Sequence, residues 1–95
     1  MKILALEQVI EGVTAERFAP YLKSEAHRVW ELNQTGFIRE MYFRGDRTQA
    51  VLILESSDLA TASETLSTLP LVRDGLITFE LIPLIAYPGF ARLFV

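Results

Sequence analysis

The chain contains no cysteine, and its 95 residues include one histidine and one tryptophan. The first absence excludes disulfides, thiolate nucleophiles and cysteine-bound metal. With His27 as the sole imidazole, a zinc site of nitrogen and sulfur ligands cannot be assembled. No metal and no cofactor is therefore expected. Long apolar runs are missing too: the stretch 81–86 falls far short of the ~20 residues that span a bilayer. A basic excess is also lacking. Nine Lys and Arg stand against twelve Asp and Glu, a formal net charge of −3, so there is no electrostatic footprint for nucleic acid. Neither a glycine-rich phosphate loop nor a dinucleotide fingerprint occurs. The pair Ser56-Ser57 has no histidine near it in sequence, and Ser24 with His27 alone does not make a triad, so a hydrolase is unsupported. Met1-Lys2-Ile3-Leu4 resembles the start of a signal peptide, but Glu7 and Glu11 interrupt the run. A cytoplasmic location without membrane contact is the expectation.

What is present is an ordered series of periodic segments filling one domain, 1–95. Alternation predicts a strand over 2–10, with Ile3, Ala5, Glu7 and Val9 on one face and Leu4, Leu6 and Gln8 on the other. A helical pattern follows over 14–34, opened by Thr14 as N-cap and stopped by Gly36. Pro20 lies inside it, either kinking the helix or marking a later start. Strands over 37–44 and 49–55 flank a turn at Arg44-Gly45-Asp46-Arg47. Ser56-Ser57-Asp58 caps a second helix over 58–69, closed by Pro70, and a fourth strand runs over 76–85.

This order, β-α-β-β-α-β, is the ferredoxin-like α+β arrangement, with an antiparallel sheet in the order 4-1-3-2. Such a sheet carries helices on one face only, yet both faces of these strands are apolar. The second face needs a partner, and a homodimer or an assembly of dimers supplies one. RNA-recognition domains share the order of elements, but the strand Ala50-Val51-Leu52-Ile53-Leu54 offers no stacking aromatic or basic residue. Beyond the last strand, 86–95 carries Tyr87, Phe90, Leu93, Phe94 and Val95. A solvated tail is normally polar. The segment either folds back over its own helices or serves as a dimerisation arm, and the second reading is preferred.

Candidate chemistry centres on carboxylates. On a helical wheel Phe18, Leu22, Ala26 and Val29 define the buried face, and His27 points nearly opposite, which argues against a catalytic histidine. Glu25 turns toward the sheet near the edge of that stripe, where burial raises a carboxylate's pKa unless a cation meets it. Arg28 and Arg39 are the candidate cations, and a structural ion pair is the alternative. In the order 4-1-3-2, Glu7, Tyr42 and Arg44 gather at one end of the sheet, while Arg39 and Glu55 pair at the other. Carboxylate, tyrosine and arginine together suit proton transfer beside an anionic substrate. Interface salt bridging is the competing role. Trp30 and Tyr21 are assigned to packing.

The stretch from Leu69-Pro70-Leu71-Val72 through Ile77-Thr78-Phe79-Glu80-Leu81 to Tyr87-Pro88 resembles the muconolactone isomerase family. The arginine three residues after Gly36 is similar as well. The resemblance implies a dimeric α+β barrel in which two sheets face each other. It also implies proton abstraction and return on a small anionic or lactone substrate, without metal or organic cofactor. By that likeness Glu25 matches the family's acidic helix position and Arg39 its strand arginine. Glu40 stands where the family carries a histidine, so the substrate does not transfer. The expected site comprises Glu25, Glu7 and Tyr42 as catalytic groups, with Arg39, Arg44 and Arg28 binding substrate. A non-catalytic small-molecule binding module and a cofactor-independent oxygenase are the alternatives. The oxygenase would need histidine, asparagine and tryptophan on one cleft, drawn here from His27, Asn33 and Trp30.

Overall fold

Four antiparallel strands form one sheet in the order β2-β3-β1-β4, with β1 at Lys2–Val9, β2 at Ile38–Phe43, β3 at Ala50–Glu55 and β4 at Ile77–Leu84. The computed structural model describes all residues 1–95. Helices α1 (Leu22–Gln34), α2 (Leu59–Leu66) and α3 (Pro70–Arg73) complete an α+β architecture compatible with a ferredoxin-like fold. No helix is long and apolar enough to cross a membrane.

Alternation decides which side of the sheet is covered. Ile3 and Ala5 of β1, with Leu52 and Leu54 of β3, are fully buried against Leu32 of α1 and Ala62 and Leu66 of α2. The opposite face carries cross-strand rows. One runs Glu40, Ile53, Leu4, Ile82, and the next runs Tyr42, Val51, Leu6, Glu80. Their apolar centres stay partly exposed because no helix covers them. A bulge at Arg39 shifts the β2–β3 register between Ile38 and Glu40, which swings the edge strand's side chains relative to its start. Pro83 lies in β4, an edge strand, where a missing amide hydrogen costs no ladder bond.

The helices differ from the periodic pattern where proline and local hydrogen bonds intervene. The segment 14–34 divides into a 3₁₀ turn at Ala15–Tyr21, containing Pro20, and the α-helix proper from Leu22. Thr14 makes no side-chain cap bond to it. The second helix ends at Leu66, and Pro70 opens the separate short α3 instead of closing α2. Proline is at home in a first turn, where its absent N–H would have no partner. Asp58 caps α2 by accepting a 2.7 Å hydrogen bond from the Thr61 amide. Asp58→Ala should cost about 1 kcal/mol and lower Tm by ~4–8 °C, as thermal unfolding will show. Gly36 follows α1 at φ +85°, the left-handed conformation in which a side chain would be strained.

The C-terminal segment does not fold back. Ile85 is 88% and Phe94 85% exposed, and the arm 86–95 lies out along a molecule 56 Å long. The radius of gyration is 15.4 Å, against about 12 Å for a compact chain of this length. Yet the arm has its own shape. Gly89–Phe94 forms a 3₁₀ turn, and the Tyr87 ring meets Phe90 edge to face at 5.2 Å. Tyr87 also lies over Gly89, where any Cβ would strike its ring.

Candidate functional site

A cleft of about 890 Å³ opens between α1 with its preceding 3₁₀ turn and the covered face of the sheet. Sixteen of its twenty lining residues are hydrophobic, so binding here rests mainly on apolar burial. From the helical side come Phe18, Leu22, Ala26, Val29 and Trp30. The sheet supplies Val9, Met41, Phe43, Ala50 and Phe79, and Leu69 and Leu71 close the α3 end. The first helix crosses away from the sheet here, so its apolar stripe is buried only at Leu32, while Leu22 is 61% and Trp30 59% exposed.

Glu7 and Glu25 are the only ionisable carboxylates on the cleft wall, and each is fixed by a backbone amide. Pairing of β1 with β3 ends at Leu6 opposite Val51. The next β3 amide, that of Ala50, donates to Glu7 Oε1 at 3.2 Å. Glu25 Oε1 accepts from the Leu71 amide at 2.9 Å, one of the donors that a helix start leaves without an internal partner. The second oxygen of each carboxylate makes no hydrogen bond within the protein. Both side chains are half-buried. Burial pushes the Glu7 carboxyl above its ordinary value, and the Ala50 amide only partly offsets this. Burial likewise raises Glu25; the Leu71 amide opposes the rise and the Glu7 charge adds to it. Arg73 pulls Glu25 weakly the other way, but its guanidinium is engaged by Asp74 at 2.9 Å.

The sign of the resulting pH effect follows from linkage. A carboxyl with a raised folded pKa binds more protons folded than unfolded, so stability falls as pH rises from about the ordinary 4.5 through the folded value. The Glu7→Gln/Glu25→Gln double variant should lose that component. Its Tm should exceed the parent's at neutral pH and converge with it at pH 4 and below. Parallel Tm profiles across that range would refute the assignment.

The remaining predicted residues are dispersed. Tyr42 touches the cleft rim, but its hydroxyl donates to Glu40 Oε1 at 2.7 Å. Arg39 donates through Nε to the Gly36 carbonyl at 2.6 Å, on the outside of the β2 edge. Arg44 forks onto Asp46 at 2.9 and 2.8 Å. Arg28 donates to Thr68 Oγ1 at 3.0 Å and meets Glu31. None of these arginines lines the cleft, so the expected gathering of Glu7, Tyr42 and Arg44 does not form. Nor does an Arg39–Glu55 pair form at the other end, where Glu55 accepts from the N-terminal ammonium at 2.8 Å. His27 is 70% exposed, stacks on Trp30 at 6.2 Å and stays out of the cleft.

Trp30 is the residue that sequence reasoning misplaced, since it walls the cleft instead of packing in a core. Asn33 and Thr48 also reach the wall. Asn33 Nδ2 donates to the Ile38 carbonyl at 3.0 Å, tying α1 to the start of β2. The usable signal was Glu7 itself, a charge set between Ala5 and Val9 on the inward face. No group of three or more histidine, cysteine, aspartate or glutamate side chains is placed to hold a metal. No protein-family model matches the chain, and no curated protein matches it.

Proposed function

We propose that the protein is a small cofactor-independent, isomerase-like enzyme that moves a proton on a carbonyl compound bound in this cleft. One observation carries the reading: two half-buried carboxylates in one apolar cleft, each held by a backbone amide and each with one oxygen free. Glu7, ionised, removes a proton from the carbon beside the substrate carbonyl. In this scheme Glu25 acts in its protonated form, favoured first by burial and then by the Glu7 charge, and its free oxygen donates a hydrogen bond to the developing enolate oxygen. A carboxylic acid kept neutral by an apolar site can serve as such a donor. Return of the proton from Glu7 to a conjugated carbon completes the shift of the double bond. A lactone or another enolisable carbonyl compound fits this scheme.

The same reading includes a homodimer, in which the uncovered sheet face meets that of a second copy and the arm 86–95 packs across the junction. The alternative of a binding module without turnover differs in one measurable respect. Incubated in D₂O with an enolisable ketone, the enzyme should exchange the ketone's α-hydrogens for deuterium faster than buffer does, as followed by proton NMR. Exchange no faster than buffer, with a ketone shown to bind, would leave only the binding module. For the oxygenase alternative, Trp30 and Asn33 do line the cleft, but His27 does not.

A further inference from the structure

We infer that the cleft selects an uncharged, mainly apolar molecule of two or more rings, such as a polycyclic ketone, lactone or phenol, and rejects carboxylates. The inference rests on the proposed role of the cleft as a substrate site and narrows the class of molecule it takes. Size is the first argument. Pockets of about 300–1,000 Å³ accommodate drug-sized ligands, and at about 890 Å³ this one lies near the top of that range. A single-ring acid would leave most of its wall unburied.

Charge is the second argument. The chain has nine Lys and Arg, and not one lines the cleft. Arg73, which acts weakly on Glu25, is paired with Asp74. An arginine fork would hold a carboxylate through two charge-assisted bonds, but Arg28, Arg39 and Arg44 spend theirs elsewhere. An anion would enter an apolar cleft with no lysine or arginine on its wall, where the ionised Glu7 repels it.

The wall supplies the third argument. Phe18, Trp30, Phe43 and Phe79 come from both sides of the opening. Rings set in this way sandwich flat apolar molecules, and offset or edge-on contacts add to simple burial. A cationic ligand would pair with the ionised Glu7, but it would have to give up the hydration of its own charge in an apolar cleft, a cost that such a pairing need not repay.

The test compares three probes on one skeleton with the full-length chain, using ligand-observed NMR titration: 2-tetralone (uncharged), 2-naphthoate (anion) and 2-naphthylmethylammonium (cation). Tetralone should bind at least about tenfold more tightly than either ion, a difference of ~1.4 kcal/mol. Ala26→Trp, which fills the cleft from an exposed helical position, should weaken tetralone binding by a similar factor. Leu22→Arg, which adds a cation at the rim, should shift preference toward naphthoate. Equal or tighter binding of either ion, no binding of tetralone, or tetralone binding untouched by Ala26→Trp would each overturn the inference. Failure here is separable from failure of the proton-transfer reading. Tetralone that binds without deuterium exchange leaves the ligand class standing and removes the catalysis. Exchange on an anionic ketone with tetralone unbound does the reverse.

Discussion

Glu7→Gln and Glu25→Gln are each expected to slow deuterium exchange on a bound ketone by ~10²–10⁴-fold, the usual scale of general acid–base catalysis. Glutamine keeps the carbonyl oxygen that accepts the Ala50 or Leu71 amide, so the fold has no reason to change. In the proposed scheme, what disappears at Glu7 is the base, and at Glu25 the acidic O–H. The parent's rate should rise with pH as Glu7 ionises, with a midpoint above the 4.5 of an ordinary glutamate. His27→Ala, Arg39→Ala and Arg44→Ala should leave the rate essentially unaltered, since none of these side chains reaches the cleft. A purely structural role for the carboxylates predicts another combination, in which stability falls along with rate. Here the rate should fall while Tm at neutral pH rises, because Glu7→Gln removes a half-buried charge and Glu25→Gln removes the proton uptake that keeps that carboxyl neutral on folding. Such opposition between stability and activity is the usual mark of a functional charge. Retention of full exchange by both single variants would remove them from the chemistry.

The α+β class and the sequence of strands were legible because alternation of side chains has a fixed period and little else produces it. Ile3, Ala5, Leu52 and Leu54 announce one buried face, and Leu4, Leu6, Val51 and Ile53 a second. The helix ends were less legible. Pro20 and Pro70 permit two local outcomes each, a kink or a new start, and tertiary packing chooses between them. The wheel turns Phe18, Leu22 and Ala26 toward the sheet, but they line the cleft and Leu22 and Ala26 stay exposed instead of buried, because a wheel gives direction and not distance. It cannot tell a helix seated on the sheet from one lifted away, and so the cleft and its Trp30 wall were invisible. The carboxylates were visible, because a charge on an inward face is conspicuous whatever the separation. The arginines misled for a related reason. A guanidinium on a long stem takes the nearest acceptor, and Gly36, Asp46 and Thr68 provided one outside the cleft in every case.

Ile53→Arg is expected to convert the proposed dimer into a folded monomer at micromolar concentration. Ile53 sits at the centre of the uncovered face, opposite Leu4 on β1 and Glu40 on β2. Its side chain plays no part in the buried core beneath the helices, so a separated subunit has no internal cause to lose its secondary structure. In the proposed dimer, two sheets stack through Leu4, Leu6, Val51, Ile53 and Ile82. Each such side chain contributes about 1.5–3 kcal/mol when fully buried, against an association cost of ~4–15 kcal/mol. Ten such side chains, five from each copy, offset that cost although each is already partly buried in the separate subunit, and the exposed apolar arm adds to the association. An arginine from each copy would bury two charges at the junction, and pairing with the neighbouring Glu40 would repay only part of their desolvation. Removing 86–95 should act more mildly, weakening association without introducing a charge. Sedimentation equilibrium checks both variants, with circular dichroism to separate a folded monomer from an unfolded chain. A compact monomer for the intact sequence, or an Ile53→Arg variant as firmly dimeric as its parent, would place the partner of this face elsewhere.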